Sequence, residues 1–148
     1  MFFLKELPSR EILQSYQTRF PAMNVDNVHD ALHMLRQASL LMRQLDNYFA
    51  ANDLSTLRYL ILIVLEREDL PEGLMVSELA ERVDVSRPVM TRTVQTLVDD
   101  GLLATRACDN DGRIKRVRLT VAGHDTLNRV LPGYYQLIDR FMASDTRL

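Results

Sequence analysis

The chain has 148 residues, 47% of them apolar and 26% charged, with a formal charge of −2. That length fits one globular domain. The acidic balance excludes indiscriminate coating of nucleic acid, so any contact with a polyanion has to come from a local patch. A single cysteine excludes a disulfide framework and fits a reducing cytoplasm.

The opening segment, MFFLKELPSREIL, acquires Lys5, Glu6, Arg10 and Glu11 before any long apolar run can form, so no signal peptide is expected. A short helix is predicted over residues 2–20, with Ile12, Leu13, Tyr16 and Phe20 as its stripe. Pro21 breaks it. Asn24 or Asp26 can cap the next helix, which is predicted to run to about Ala51. In it Val25, Val28, Leu32, Leu35, Ser39, Met42, Leu45 and Phe49 recur at three- and four-residue steps, a seam of about seven turns. A small core cannot cover so long a seam, and a second copy of the chain is the simplest cover.

His29 and His33 lie four apart on this helix beside Asp26 and Asp30. The spacing is compatible with a metal, but no third and fourth ligands are evident. Structural or pocket-lining roles are expected instead, with no metal and no cofactor. Ser55 can cap a third helix over residues 56–68, which is apolar on most faces and therefore central. Its most apolar run, 57–65, is interrupted by Arg58 and is far too short to span a membrane. Residues 69–73 end that helix, and residues 74–76 can form a short strand.

Two short helices come next. Ser77 can cap the first, on which Leu79, Ala80 and Val83 share a face. Asp84 takes the turn position, where a left-handed residue is common. Ser86 can cap the second helix, with Val85 and Met90 placed as a hydrophobic staple. Pro88 falls in its first turn, and Gly101 suits a left-handed stop, giving a helix over about 87–100. On a helical wheel Val89, Met90, Thr93, Val94 and Leu97 gather on one side, and Pro88, Thr91, Arg92 and Gln95 on the other. The second set is small, polar and cationic. Arginine can pair with a guanine edge and glutamine with adenine.

Strands are predicted over 102–106 and 115–119, the second alternating Val117 and Leu119 with Arg116 and Arg118. Between them Asp109-Asn110-Asp111-Gly112-Arg113 is turn chemistry. From Arg87 to Arg118 seven cations face four anions, a net +3 in an acidic chain. A helix-turn-helix followed by a hairpin is a winged helix, whose usual business is duplex DNA. Thr120 can cap the last helix, lined by Leu127, Val130, Leu131, Tyr134, Leu137, Ile138 and Phe141. Pro132-Gly133 is expected to kink or split it, and residues 143–148 to fray.

These features together resemble the MarR/SlyA family of winged helix-turn-helix transcriptional regulators. The resemblance is carried by VSELAERVDVSRPVMTRTVQTLVDDGLL, by Asp111-Gly112-Arg113 ahead of Leu119-Thr120, and by the long flanking helices. It implies a mainly α fold with a small β-hairpin wing, in one domain. Residues 54–120 would be the DNA-binding part, and residues 1–53 and 121–148 the helical dimerisation region. It implies a homodimer that binds a pseudo-palindromic operator in double-stranded DNA, with recognition helices about 34 Å apart. Pro88, Thr91, Arg92 and Gln95 match major-groove positions and Arg113 the minor-groove position. Asp111 would pair with Arg92 and brace wing against helix, while Gly112 stands where many relatives carry a second cation. Arg87, Lys115 and Arg116 are expected on phosphates.

Repression relieved by a small aromatic effector is the family's common theme, and the matching pocket residues are His29, His33, Arg36, Arg58 and Tyr59. Two other readings stay open beside it: a winged helix serving as a protein-interaction module, and a metal- or redox-gated regulator, the latter through Cys108 in the wing loop. Phosphate-loop and catalytic-triad motifs are not found, so no enzyme is expected.

Overall fold

Side-chain caps set where most helices of the computed structural model begin; it describes residues 2–144. Helix α1 spans Arg10–Arg19. It starts later than the predicted residue 2 because Pro8 precedes Ser9, whose hydroxyl accepts the Ile12 N–H at 3.3 Å. Helix α2 spans Val25–Ala51. Its cap is Asn24, whose side-chain oxygen accepts from the Asn27 N–H at 2.9 Å; Asp26 pairs with Arg10 instead. Helix α3 spans Thr56–Glu68. Ser55 caps it as expected, accepting from the Arg58 N–H at 3.1 Å, and Asp69 ends it in a left-handed conformation, φ 45°.

Strand β1 is Leu74–Met75, and helix α4 follows at once as Val76–Arg82. Ser77 does not cap α4. Glu78 reaches back, and its carboxylate accepts the Met75 N–H at 2.7 Å, which puts Ser77 inside the first turn. Asp84 is not left-handed either, since only Asp53 and Asp69 among the described non-glycine residues have positive φ. The turn is closed more tightly, by the Val85 N–H on the Val83 carbonyl at 2.8 Å.

Helix α5 spans Arg87–Asp99. Ser86 occupies the cap position with extended backbone, yet its hydroxyl makes no capping bond. At the far end Gly101 has φ 75°, the Leu102 N–H bonds the Leu97 carbonyl at 2.9 Å and the Gly101 N–H bonds the Val98 carbonyl at 3.0 Å. That double closure is a Schellman stop, which favours glycine at the left-handed position. Strands β2, Leu103–Ala107, and β3, Lys115–Leu119, complete a three-stranded antiparallel sheet in the order β1-β3-β2. Leu74 lies opposite Val117, and Val117 opposite Thr105.

Helix α6 spans Val121–Ser144, with Thr120 accepting the Gly123 N–H at 3.1 Å. It runs as one helix through Pro132, so the expected split does not occur. The missing side chain at Gly133 leaves room for the Tyr48 ring, and the Tyr48 hydroxyl donates to the Val130 carbonyl at 2.6 Å. Ala143 and Ser144 are still helical; residues 145–148 of the tail expected to fray lie outside the described residues. No single helix among the described residues is long and apolar enough to cross a membrane.

Packing divides the chain into two units, Met1–Leu45 with Gln136–Leu148, and Asp46–Tyr135. The second takes in more of α2 and α6 than the predicted 54–120 segment. Its interior holds Ile61, Leu62, Leu79, Met90, Leu97, Leu103, Val117, Leu127 and Val130, all essentially without solvent exposure. An aromatic stack of Phe49, Tyr59 and Tyr134 joins that interior, with ring centroids 4.5–5.9 Å apart. In the first unit Leu13 and Phe141 are buried, while Ile12, Tyr16, Phe20, Met34, Leu35 and Met42 stay exposed.

Two glycines separate backbone strain from crowding. A Cβ at Gly101 would meet open space, whereas one at Gly73, φ 77°, would lie 2.2 Å from the Val117 carbonyl oxygen. Gly101→Ala should therefore cost only the left-handed penalty, about 1 kcal/mol. Gly73→Ala should cost about 3 kcal/mol, because strand β3 must also give way. Urea unfolding of the two variants measures the order, and equal losses would contradict it.

Candidate nucleic-acid interface

Helix α5 is seated by Met90, Val94 and Leu97, each buried, with Val89 and Thr93 half-covered. At 3.6 residues per turn, that seating obliges the opposite side to face solvent. Arg87, Pro88, Thr91, Arg92 and Gln95 are accordingly all exposed. The predicted reading face is thus brought together on one element. Arg87 and Arg92 form no ion pair among the described residues, and neither do Lys115 and Arg118 on β3. Two exposed cations on α5 and two on β3 therefore stand without an ion-pair partner among the described residues.

The C-terminal end of α5 is different. Asp100 pairs with Arg58, and Gln95 donates from Nε2 to Asp99 at 2.9 Å. The acids therefore close off the last turn, and the cationic surface is confined to the N-terminal two-thirds of the helix.

The wing tip is built by local bonds. The Cys108 N–H reaches the Ile114 carbonyl at 2.8 Å and the Ile114 N–H the Asp111 carbonyl at 3.0 Å. The Asp111 carboxylate accepts the Arg113 N–H at 3.0 Å and the Arg113 Nε at 3.3 Å. The expected Asp111–Arg92 brace is therefore absent. An aspartate finds a partner two residues on more readily than one across the fold, since the short loop costs less entropy to close. Arg113 itself is 94% exposed and projects from the tip.

Arg116 is a second correction. Its side chain is only 29% exposed. It donates from Nη1 to the Gly73 carbonyl at 3.1 Å and lies 3.6 Å from the Glu78 carboxylate. Glu78 meanwhile holds the N-terminus of α4, so Arg116 fastens the wing to the helix-turn-helix and is not presented to phosphate. The sequence signal was present: a strand at 74–75 followed by an acid at 78 puts both an open carbonyl and a carboxylate beside β3.

The residues expected to line an effector pocket divide between the two packing units. Arg58 is tied to Asp100, and Tyr59 is buried in the aromatic stack. Burial, with Tyr134 alongside, raises the Tyr59 phenol above the ordinary tyrosine range and keeps it neutral. His29, His33 and Arg36 belong to the first unit. There the two imidazoles lie with ring centroids 4.4 Å apart, and His29 Nδ1 is 3.1 Å from Asp30. Among the described residues no group of three or more metal-ligating side chains converges. Cys108 is half-exposed beside Arg106 and Arg116 in a shallow wing-side hollow.

A MarR family model matches residues 52–114, the span from the end of α2 through the helix-turn-helix to the wing tip. Over that span the chain is similar to the MarR family. The transcriptional repressor YetL of Bacillus subtilis is 26% identical over 142 residues, covering 95% of this chain and 84% of that protein. The transcriptional repressor MprA of Escherichia coli is 26% identical over 125 residues, covering 84% and 69%. Among solved structures, a MarR family transcriptional regulator from Streptomyces coelicolor in complex with DNA superposes with a TM-score of 0.75 at 21% identity, covering 84% and 78%. The Mycobacterium tuberculosis regulator MosR in complex with DNA does so at 0.63 and 26% identity, covering 80% and 84%.

The two neighbouring cations on β3 should separate experimentally. Arg116→Ala removes a charged hydrogen bond to the Gly73 carbonyl and an ion pair with Glu78 of α4, and should lower stability by about 1–2 kcal/mol. Lys115→Ala touches only solvent and should stay within about 0.5 kcal/mol of the parent. Chemical denaturation decides, and a neutral Arg116→Ala would show that the wing is held by other means.

Proposed function

We propose that this protein is a MarR-type, homodimeric, sequence-specific regulator of transcription that binds double-stranded DNA, and that it represses. The observation that carries the proposal is the exposed, unpaired cationic face of α5 lying in the same packing unit as a wing whose tip presents Arg113. Pro88, Thr91, Arg92 and Gln95 read base edges in the major groove. Arg113 enters the flanking minor groove, where narrow A·T tracts concentrate negative potential. Arg87 and Lys115 take phosphates and set register. Repression is supported by YetL and MprA, both named as transcriptional repressors.

Self-association is supported by α2, which buries only Phe49 within its own chain and leaves Met34, Leu35 and Met42 in solvent. An apolar hollow between Met34, Leu41, Phe141 and Met142 continues that surface. A partner covering it sets the spacing of two recognition helices, and the operator is then a pseudo-palindrome. Response to a small aromatic effector belongs to the same proposal. Such a ligand releases DNA only through tighter binding to the dimer whose helices are wrongly spaced. The protein acts in the cytoplasm, on the chromosome.

Duplexes from the protein's own promoter, read by fluorescence anisotropy, test the proposal. Arg92→Ala and Arg113→Ala should each weaken binding roughly tenfold or more, and the parent affinity should fall steeply with added salt. Sedimentation should give a dimer. Unchanged affinity in both variants would overturn the DNA reading and favour a protein-interaction module.

A further inference from the structure

Helix α5 ends in two acids, Asp99 and Asp100, with no basic residue in its last turn. An acid at the negative end of a helix dipole is destabilising, and next to DNA it also repels phosphate. Asp100 is neutralised by Arg58. Asp99 has no ion-pair partner among the described residues. Its partner is Gln95, one turn earlier, which donates from Nε2 to Asp99 Oδ1 at 2.9 Å, with both side chains on the exposed side of the helix.

That bond removes an ambiguity intrinsic to glutamine. A free amide can present its oxygen or its nitrogen by turning over. An ionised carboxylate can only accept, so the nitrogen of Gln95 must face Asp99 and its oxygen must face away. One N–H is occupied by Asp99. What remains for a ligand is one acceptor, Oε1, and one donor, the second N–H. This pair complements the adenine major-groove edge, which offers a donor at N6 and an acceptor at N7. Guanine offers two acceptors, O6 and N7, and would need both N–H groups together.

We propose that Asp99 is a positioning residue for base recognition, fixing the Gln95 amide so that Gln95 selects adenine and rejects guanine. The proposal rests on the DNA-binding reading above. It explains why an acid stands at a place where both the helix and an approaching polyanion disfavour one.

The test is selection from a random-core duplex library by the full-length protein, by Gln95→Ala, by Asp99→Ala and by Asp99→Asn. The parent should enrich a motif with adenine at one position in each half-site, and Gln95→Ala should erase that preference alone. Asp99→Ala should admit guanine there, lowering the adenine-to-guanine ratio roughly tenfold or more, while other positions keep their preferences. Asp99→Asn can accept or donate, so it should relax the same position. A role through charge alone would instead raise affinity for every duplex in both Asp99 variants and leave the adenine preference intact, which overturns the proposal. A motif insensitive to Gln95→Ala overturns it as well, with the regulator reading untouched. A parent protein that enriches no sequence takes down both.

Discussion

The seating of one helix governs everything that this chain presents to a partner. Met90, Val94 and Leu97 are driven out of water, each contributing on the order of 2 kcal/mol, and their spacing leaves helix α5 no other rotation. Once those three are buried, Arg87, Thr91, Arg92 and Gln95 have to point outward. The exposed polar and cationic face is a by-product of core formation, so its orientation needs no dedicated scaffold. The Schellman stop at Gly101 then turns the chain directly into β2, which keeps the hairpin in a fixed relation to the helix it accompanies.

The wing is secured by a different kind of contact. Arg116 and Glu78 meet at the place where β1 gives way to α4, with the Gly73 carbonyl between β-strand and turn as the third member. Charged hydrogen bonds at a half-covered site are less sensitive to salt than exposed pairs. The part of the wing that anchors is thus insulated from the ionic conditions that the exposed part, Arg113 and Lys115, must respond to. One strand of five residues carries both roles, because successive side chains leave it on opposite faces.

Much of this was legible in the residues themselves, where a single period or a local cap decided the outcome. The two faces of α5, the Ser55 and Thr120 caps, the left-handed Gly101 and the short third strand all follow from spacing and from neighbouring residues. What was not legible depended on competition. Ser77 lost its capping role because Glu78, one residue on, could reach the free N–H from inside the helix. Asp111 could serve Arg92 or Arg113, and the nearer partner won. Arg58 looked like a lining residue on an apolar helix until Asp100, forty-two residues away, claimed it. Pro132 suggested a kinked or broken helix, yet α6 continues through it as one element.

The seat of Tyr48 on α6 has a mechanical side. Tyr48, near the end of α2, has its hydroxyl on the Val130 carbonyl and its ring in the notch left by Gly133. It works as a cotter pin driven through two shafts. Rotation or sliding of the end of α2 against α6 has to break that hydrogen bond and lift the ring out of its notch. Within that unit the end of α2 and the middle of α6 are thus geared to one another by a single side chain.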